Sequence, residues 1–319
     1  MSESTSPFKI LAFDGGGIRG LFSASVVSHI EEYSQERLID HFDLVVGTST
    51  GAIIALGLAA GLSGSEILTF YEEHGPQIFS RKRRVGQVLR PKYSSDALSA
   101  ALRDVFGDKK LNDLTAPVCI ASYEIIESVP RVLKTDHQSD LHWGGDLTVW
   151  KVAAASAAAP TFFRPVTVDR EDLHIDGGLW ANNPVLVGLT EAMTRFNQPL
   201  CNINVLSIGT CSKPPRFTPR RFKTWGLVGW IRGNRLLETV FTAQSQSAER
   251  TVGLLLKDRH VRIDAELSSS VPLDNYRKAR HLIERGSQAG RNAKTQIESR
   301  FLSDYAAYRP VEFPLRTHR

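Results

Sequence analysis

The pentapeptide Gly47-Thr48-Ser49-Thr50-Gly51 sets one hydroxyl between two glycines, the G-x-S-x-G pattern in which a serine can be presented on a sharp turn as a nucleophile. With Gly and Ser each near 7% of ordinary sequence, such a match arises by chance in roughly one chain of this length in ten, so the flanking elements decide its meaning. DLVVG (43–47) ahead of it reads as a strand, and the apolar run AIIALGLAAGL (52–62) after it reads as a buried helix. That run is well short of the roughly 20 residues a membrane span needs. Two further glycine turns accompany the serine. In AFDGGGIRG (12–20), Gly15, Gly17 and Gly20 satisfy G-x-G-x-x-G, a spacing that can cradle a dinucleotide pyrophosphate or aim backbone N–H groups at a developing oxyanion. In DLHIDGG (172–178), Asp176 ends a short strand just before two glycines, where a carboxylate can serve as general base to a serine hydroxyl.

A serine hydroxyl is a poor nucleophile until a neighbour takes its proton. The late histidines are poorly placed to do so. His260 begins a strand among charged residues, His281 sits mid-helix in YRKARHLIERG, and His174 lies inside DLHIDGG. Asp176 is therefore the expected base. Asp14, the other aspartate followed by glycines, is expected to brace its turn, because an anion inside an oxyanion hole would oppose the charge that forms there. The dinucleotide reading asks for an acid about 20 positions past the glycines, at the far end of the second strand. Asp40 and Asp43 precede that strand, GTSTG occupies its far end, and no G-K-[ST] marks a P-loop.

The elements that must position these residues follow from periodicity. FKILAF (8–13) is a continuous apolar run, as expected of a buried parallel strand, and a helix is expected from Arg19 to Gln35. Further helices are expected over SGSEILTFYEEHGPQIF, over 94–107 and over 148–160, where Pro160 supplies the stop. Strands are expected over 117–125, 129–134, 172–178 and 202–210. Asn182 and Asn183 lie beside the expected dyad; helix capping accounts for Asn183, with Pro184 at the first helical position and the helix running to about Arg195. Phe162 and Phe163, after the helix stop, suit either an acyl-chain pocket or ordinary core. A helix after residue 234, a strand at HVRIDAEL and a mostly helical stretch over 275–306 complete the chain. With 319 residues, 42% apolar, and no internal repeat or Gly/Ser linker, this alternation predicts a single α/β domain over 1–319, three layers α/β/α around a mostly parallel sheet. The motifs occupy a core of about 8–212; helical and basic elements fill 213–319.

Net charge is +5, unevenly placed. Residues 81–92 and 214–235 each carry six Lys/Arg and no acid, and taking these twelve from +5 leaves −7 for the remainder. In the second segment Phe217, Phe222, Trp225 and Trp230 alternate with the cations, a pattern that suits anionic lipid headgroups or a groove for an anionic nucleotide as well as a solvated loop. Cys119, Cys201 and Cys211 lie in or beside apolar runs without metal-ligand spacing and read as reduced core thiols of a cytosolic protein, so no metal site is expected. MSESTSPFKI has no charged segment followed by an apolar stretch, so no secretion signal is expected.

DGGGIRG (14–20), GTSTG (47–51) and DGG followed by LWANNP (176–184), in that order, resemble the patatin-like phospholipases. The resemblance is clear over about 8–212 and faint beyond. It implies a lipid acyl hydrolase of phospholipase A type that needs no cofactor and forms an acyl-enzyme through a Ser-Asp dyad, Ser49 as nucleophile and Asp176 as base. It assigns Gly15, Gly16 and Gly17 to the oxyanion hole and Arg19 to the phosphate of a bound phospholipid. Resemblance by type to compact bacterial members implies further an anti-phage effector, cytoplasmic and peripheral at the inner membrane face when active, switched on by a cyclic nucleotide. Arg220, Arg221, Lys223, Trp225 and Trp230 are then candidate contacts with membrane or anionic ligand; a homo-oligomer is compatible, and binding of a nucleic-acid duplex is not expected. Two alternatives stay open beside this reading: a constitutive lipid acyl esterase without nucleotide control, and a nucleotide-binding module using the Gly-rich loop.

Overall fold

The computed structural model describes residues 6–80, 91–138, 140–141, 143–212, 230, 235–267 and 271–306. At its centre is β1 (Phe8–Phe13), paired in parallel with β2 (Leu44–Thr48) on one side and β6 (Ile203–Ile208) on the other. Parallel pairing continues outward to β3 (Val118–Glu124) beyond β2 and to β7 (His260–Ile263) beyond β6. β4 (Val129–Lys134) and β5 (His174–Asp176) both join β3 antiparallel, so the order is β4-β3-β2-β1-β6-β7 with β5 at the end of β3. The sheet is thus mostly parallel, as the alternation of strands and helices predicts.

Successive residues of β1 point to opposite faces, and both faces are covered. Leu11 and Phe13 join an apolar cluster that includes residues of α1 (Gly20–Ser34), α2 (Thr50–Ala59), α3 (Gly64–Ser80), α4 (Ser95–Phe106) and α5 (Val149–Ser156). Phe8, Ile10 and Ala12 enter a second cluster on the other face. After the short α6 (Gly178–Ala181), that face is covered by Val185 and Leu189 of α7 (Val185–Thr194) and by Val252 and Leu256 of α8 (Arg235–Leu256). The last helix, α9 (Ala279–Arg300), returns to the first face, where Leu282 and Ile297 are fully buried. Every residue of α2 is buried, which is why its sequence is apolar all round. Among the described residues no helix is long and apolar enough to cross a membrane.

Three local expectations need correction. The first helix begins at Gly20, because Gly17–Arg19 form a tighter 3₁₀ turn held by Ile18 N–H donating to the Leu273 carbonyl at 2.8 Å. α5 ends at Ser156 instead of Pro160; the chain leaves the helix there, and the Ala158 carbonyl accepts from Asp176 N–H at 3.1 Å. Cys119 and Cys211 are buried, but Cys201 is exposed in the turn Leu200–Asn202.

Candidate active site

Ser49 lies between the end of β2 and the start of α2, with φ 55° and ψ −122°. A non-glycine residue rarely adopts that backbone, and its cost is tolerated where the surroundings over-determine it. Gly51 is what allows the sharp return: a Cβ there would lie 2.3 Å from the Phe13 carbonyl oxygen. Ser49 N–H donates to Ser156 Oγ at 2.9 Å, and Ser156 Oγ donates to the Ala121 carbonyl at 2.6 Å, tying the strained turn to α5 and β3. Thr48 Oγ1 donates to the Ala181 carbonyl at 2.6 Å, a further tie to α6.

The turn aims the hydroxyl at one carboxylate. Ser49 Oγ donates to Asp176 Oδ2 at 2.7 Å, while Gly178 N–H donates to Asp176 Oδ1 at 2.7 Å. Asp176 is fully buried and Ser49 is 6% exposed. Burial drives the Asp176 pKa up to about 6, against the opposing effect of the hydrogen bonds from Ser49 and Gly178. A carboxylate with a pKa near 6 is ionised at neutral pH yet basic enough to accept a proton from an attacking hydroxyl. Among the described residues no histidine takes part in this arrangement. His260 shares a hydrogen bond with Ser207 Oγ at 2.9 Å and is held down to about pKa 4 by burial, with Arg262 adding to the shift. His174 places its ring nitrogens 3.1 Å from Ser122 Oγ and 3.0 Å from Asp172 Oδ2.

The glycine loop after β1 faces the same turn, and it alters the expected donor set. Gly15 N–H donates to the Asn182 carbonyl at 2.8 Å, so its one hydrogen is committed within the protein, which corrects the assignment of Gly15 to the oxyanion hole. Gly16 and Gly17 keep amide hydrogens without a partner among the described residues. Gly17 has φ +58°, and a Cβ there would meet the Leu273 carbonyl oxygen at 2.3 Å, so no other residue fits.

Asp14 is the brace the sequence suggests. Both of its oxygens are gripped by Arg262 of β7, Nη1 to Oδ1 at 2.9 Å and Nη2 to Oδ2 at 2.7 Å. Arg262 Nη2 also donates to Asp264 Oδ2 at 2.7 Å, and Asp264 Oδ1 accepts Cys211 N–H at 2.9 Å. Burial still lifts the Asp14 pKa to about 6, opposed by Arg262.

Two hollows adjoin the loop. An apolar one is lined by Ser49 and Asp176 together with Ile53, Phe70, Phe162 and Phe163. A polar one is lined by Asp14, Arg19, Asn182, Ser245, Glu249 and Arg262. Phe241 of α8 borders both. Arg19 is 8% exposed; its Nε donates to the Gly16 carbonyl at 3.3 Å, and its two terminal nitrogens have no partner among the described residues.

The helix starts one residue later than expected, with Pro184 and not Asn183 as its N-cap, and Asn183 Oδ1 accepts Val185 N–H at 3.0 Å from the position before the cap. Asn182 does more than its sequence position suggests. Besides receiving Gly15 N–H on its carbonyl, it donates from Nδ2 to Ser245 Oγ at 2.8 Å, and Asn183 N–H donates to Gln244 Oε1 at 2.7 Å, so α8 holds the Asn-Asn turn against the glycine loop. Ser156, Arg262, Gln244 and Ser245 were not legible as site residues: they carry no motif and reach the site only through α5, the sheet and α8. Arg220, Arg221, Lys223 and Trp225 lie outside the described residues; Trp230 is half-buried. On the α7 face of the sheet, potential ligand atoms of Cys119, His137 and Glu191 lie within 4.8 Å of one another. There Glu191 Oε1 already receives Lys134 Nζ at 2.6 Å and pairs with His137 Nε2 at 2.9 Å, an ion cluster packed inside the protein.

The patatin-like phospholipase family model matches residues 11–189. The chain is similar to a cGAMP-activated phospholipase of Vibrio cholerae, 32% identical over 305 residues covering 84% of this chain and 85% of that one. It is similar to a cGAMP-activated phospholipase of Pseudomonas aeruginosa, 32% identical over 263 residues (81% and 78%). It is also similar to Patatin-like protein 1 of Oryza sativa, 30% identical over 281 residues (75% and 68%).

Proposed function

This chain belongs to the patatin-like phospholipase family and is a lipid acyl hydrolase, and we propose that its chemistry runs through a Ser49–Asp176 dyad acting on membrane phospholipids. The observation that carries this reading is the 2.7 Å hydrogen bond from Ser49 Oγ to Asp176 Oδ2, at the wall of an apolar hollow suited to an acyl chain. Asp176 takes the hydroxyl proton as Ser49 Oγ attacks the ester carbonyl. The oxyanion of the tetrahedral intermediate is met by the amides of Gly16 and Gly17, each such donor being worth about 3 kcal/mol. Collapse breaks the ester C–O bond, and the proton on Asp176 passes to the departing lysophospholipid alkoxide. Water, deprotonated by Asp176, then attacks the acyl-serine; collapse frees the fatty acid, and the proton on Asp176 returns to Ser49 Oγ. Arg19, which lines the polar hollow and whose terminal nitrogens have no partner among the described residues, is the residue suited to the phosphodiester.

The relatives' names supply the regulatory part of the proposal: a cyclic dinucleotide such as cGAMP switches hydrolysis on. A phospholipid substrate then requires the protein to act at a membrane surface. Cation-rich, aromatic 214–235, including Arg220, Arg221, Lys223, Trp225 and Trp230, is the segment suited by composition to the anionic partner. It leads directly into α8, whose Leu236 and Val240 are exposed beside Phe241. The test is fatty-acid release from phosphatidylethanolamine and phosphatidylglycerol vesicles, with and without cGAMP, wild type against Ser49→Ala. Release only with cGAMP supports the switched enzyme; equal release without it supports a constitutive esterase; no release in any arm removes the phospholipid substrate.

A further inference from the structure

The donors of an oxyanion hole act only if they are held in place before charge develops. The glycine loop has no side chains of its own to hold it, so its anchorage must come from neighbours. At its front end the anchor is the Asp14 carboxylate, 3% exposed and gripped at both oxygens by the Arg262 fork. At its rear end Ile18 N–H reaches the Leu273 carbonyl. Both anchors come from the stretch 262–273, beyond the residues that the family model matches. We propose that Arg262 is a positioning residue for hydrolysis, setting the oxyanion loop through Asp14 so that Gly16 and Gly17 meet the transition state. This rests on the assignment of those two amides to the oxyanion.

Arg262 has two separable effects. Its planar fork fixes direction, because two parallel N–H···O bonds allow the carboxylate one orientation where a lysine ammonium would allow many. Its charge keeps a buried carboxylate compensated next to a site where negative charge must form. The groups facing Asp14 are Arg262 of β7, Asp264 just after it, Glu249 of α8 and Arg19 of the 3₁₀ turn. Three of those neighbours would remain if Arg262 were lost, two of them acidic. Asp14 would then titrate above its present value and become an uncompensated anion as the pH rises.

The experiment measures kcat and KM for fatty-acid release across pH in the activated full-length protein, for wild type, Arg262→Met, Arg262→Lys, Asp14→Asn and the Asp14→Asn/Arg262→Met double variant. Covalent titration of Ser49 with a fluorophosphonate normalises each to folded sites. Arg262→Met is expected to lose about a hundredfold in kcat with KM nearly unchanged, as expected for a misplacement near 1 Å, and to gain a further fall in kcat toward alkaline pH. Arg262→Lys, which keeps the charge without the fork, should lose kcat but show no alkaline fall; the double variant, which lacks the carboxylate, should show none either. If Arg262→Met does not fold, the Arg262→Lys loss in kcat and the milder loss in Asp14→Asn, which retains one acceptor for the fork, carry the test. Wild-type kcat in folded Arg262→Met or Arg262→Lys, an effect confined to KM, or an alkaline fall that persists in the double variant would overturn the proposal. A wild type without hydrolysis in any arm would instead remove the functional reading beneath it.

Discussion

Asp14 and Asp176 are both buried aspartates followed by glycines, both have a pKa near 6, and their surroundings suit them to opposite tasks. Asp176 faces the apolar hollow, where burial is opposed only by hydrogen bonds from Ser49 and Gly178; its charge is weakly held and available to a proton. Asp14 faces the polar hollow, where the Arg262 ion pair holds it in one orientation. The same residue type at the same kind of turn is suited to act as a base on one side of the glycine loop and as a brace on the other. Surroundings decide the role: an unpaired buried carboxylate is reactive, and a forked one is structural.

The comparison can be broken most directly at the dyad. Ser49→Ala should lose fatty-acid release by about 10⁴-fold or more, measured on vesicles, since no neighbouring group replaces a nucleophile. Asp176→Asn should lose about 10³-fold while becoming more stable. The Asp176 pKa is raised from 3.8 to about 6, so the folded state loses stability from this group as pH climbs between those values. Removing the carboxylate should therefore raise stability by about 1–3 kcal/mol at pH 7 but not at pH 3, read by urea unfolding at the two pH values. In the wild type kcat/KM should rise through about pH 6 and level off above it, the signature of a base that must be ionised. A flat profile from about pH 5 to 8 would take the base role from Asp176.

Smaller effects sharpen the contrast. Ser156→Ala leaves Ser49 N–H buried without its acceptor, at a cost of about 1–3 kcal/mol, and should lower kcat about tenfold as the turn relaxes. Ile53→Trp narrows the apolar hollow and should raise KM for long acyl chains several-fold while sparing short p-nitrophenyl esters. His260→Ala and His281→Ala should stay within about twofold of wild type in vesicle assays, because neither imidazole serves the serine.

Much of the catalytic side was legible in the chain. A strand, a sharp turn and a helix leave local marks, so FKILAF, DLVVG and the apolar helix after GTSTG stand close to where their patterns place them. The pairing of Ser49 with Asp176 across 127 residues was an inference from the class of motif, and the fold brings the two side chains together. The clamp side was not legible. Arg262 is one cation in KDRHVRID, Ser245 and Gln244 are polar positions in a long amphipathic helix, and Ser156 ends an alanine-rich helix. Each gains meaning only from what the sheet places opposite it.

The sequence by itself determined the nucleophile turn, the glycine loop, the aspartate that follows a short strand and the doubly covered sheet, because these depend on backbone preference and on periodicity within a few residues. It also suggested three oxyanion donors where two amides are without a partner among the described residues, since whether Gly15 N–H is free depends on Asn182. Tertiary structure alone decided the surroundings that separate the two aspartates, a serine hydroxyl at Asp176 and a guanidinium fork at Asp14. Burial and ion pairing are set by residues distant in the chain, here Arg262 and the α8 side chains, and local sequence carries no trace of such neighbours.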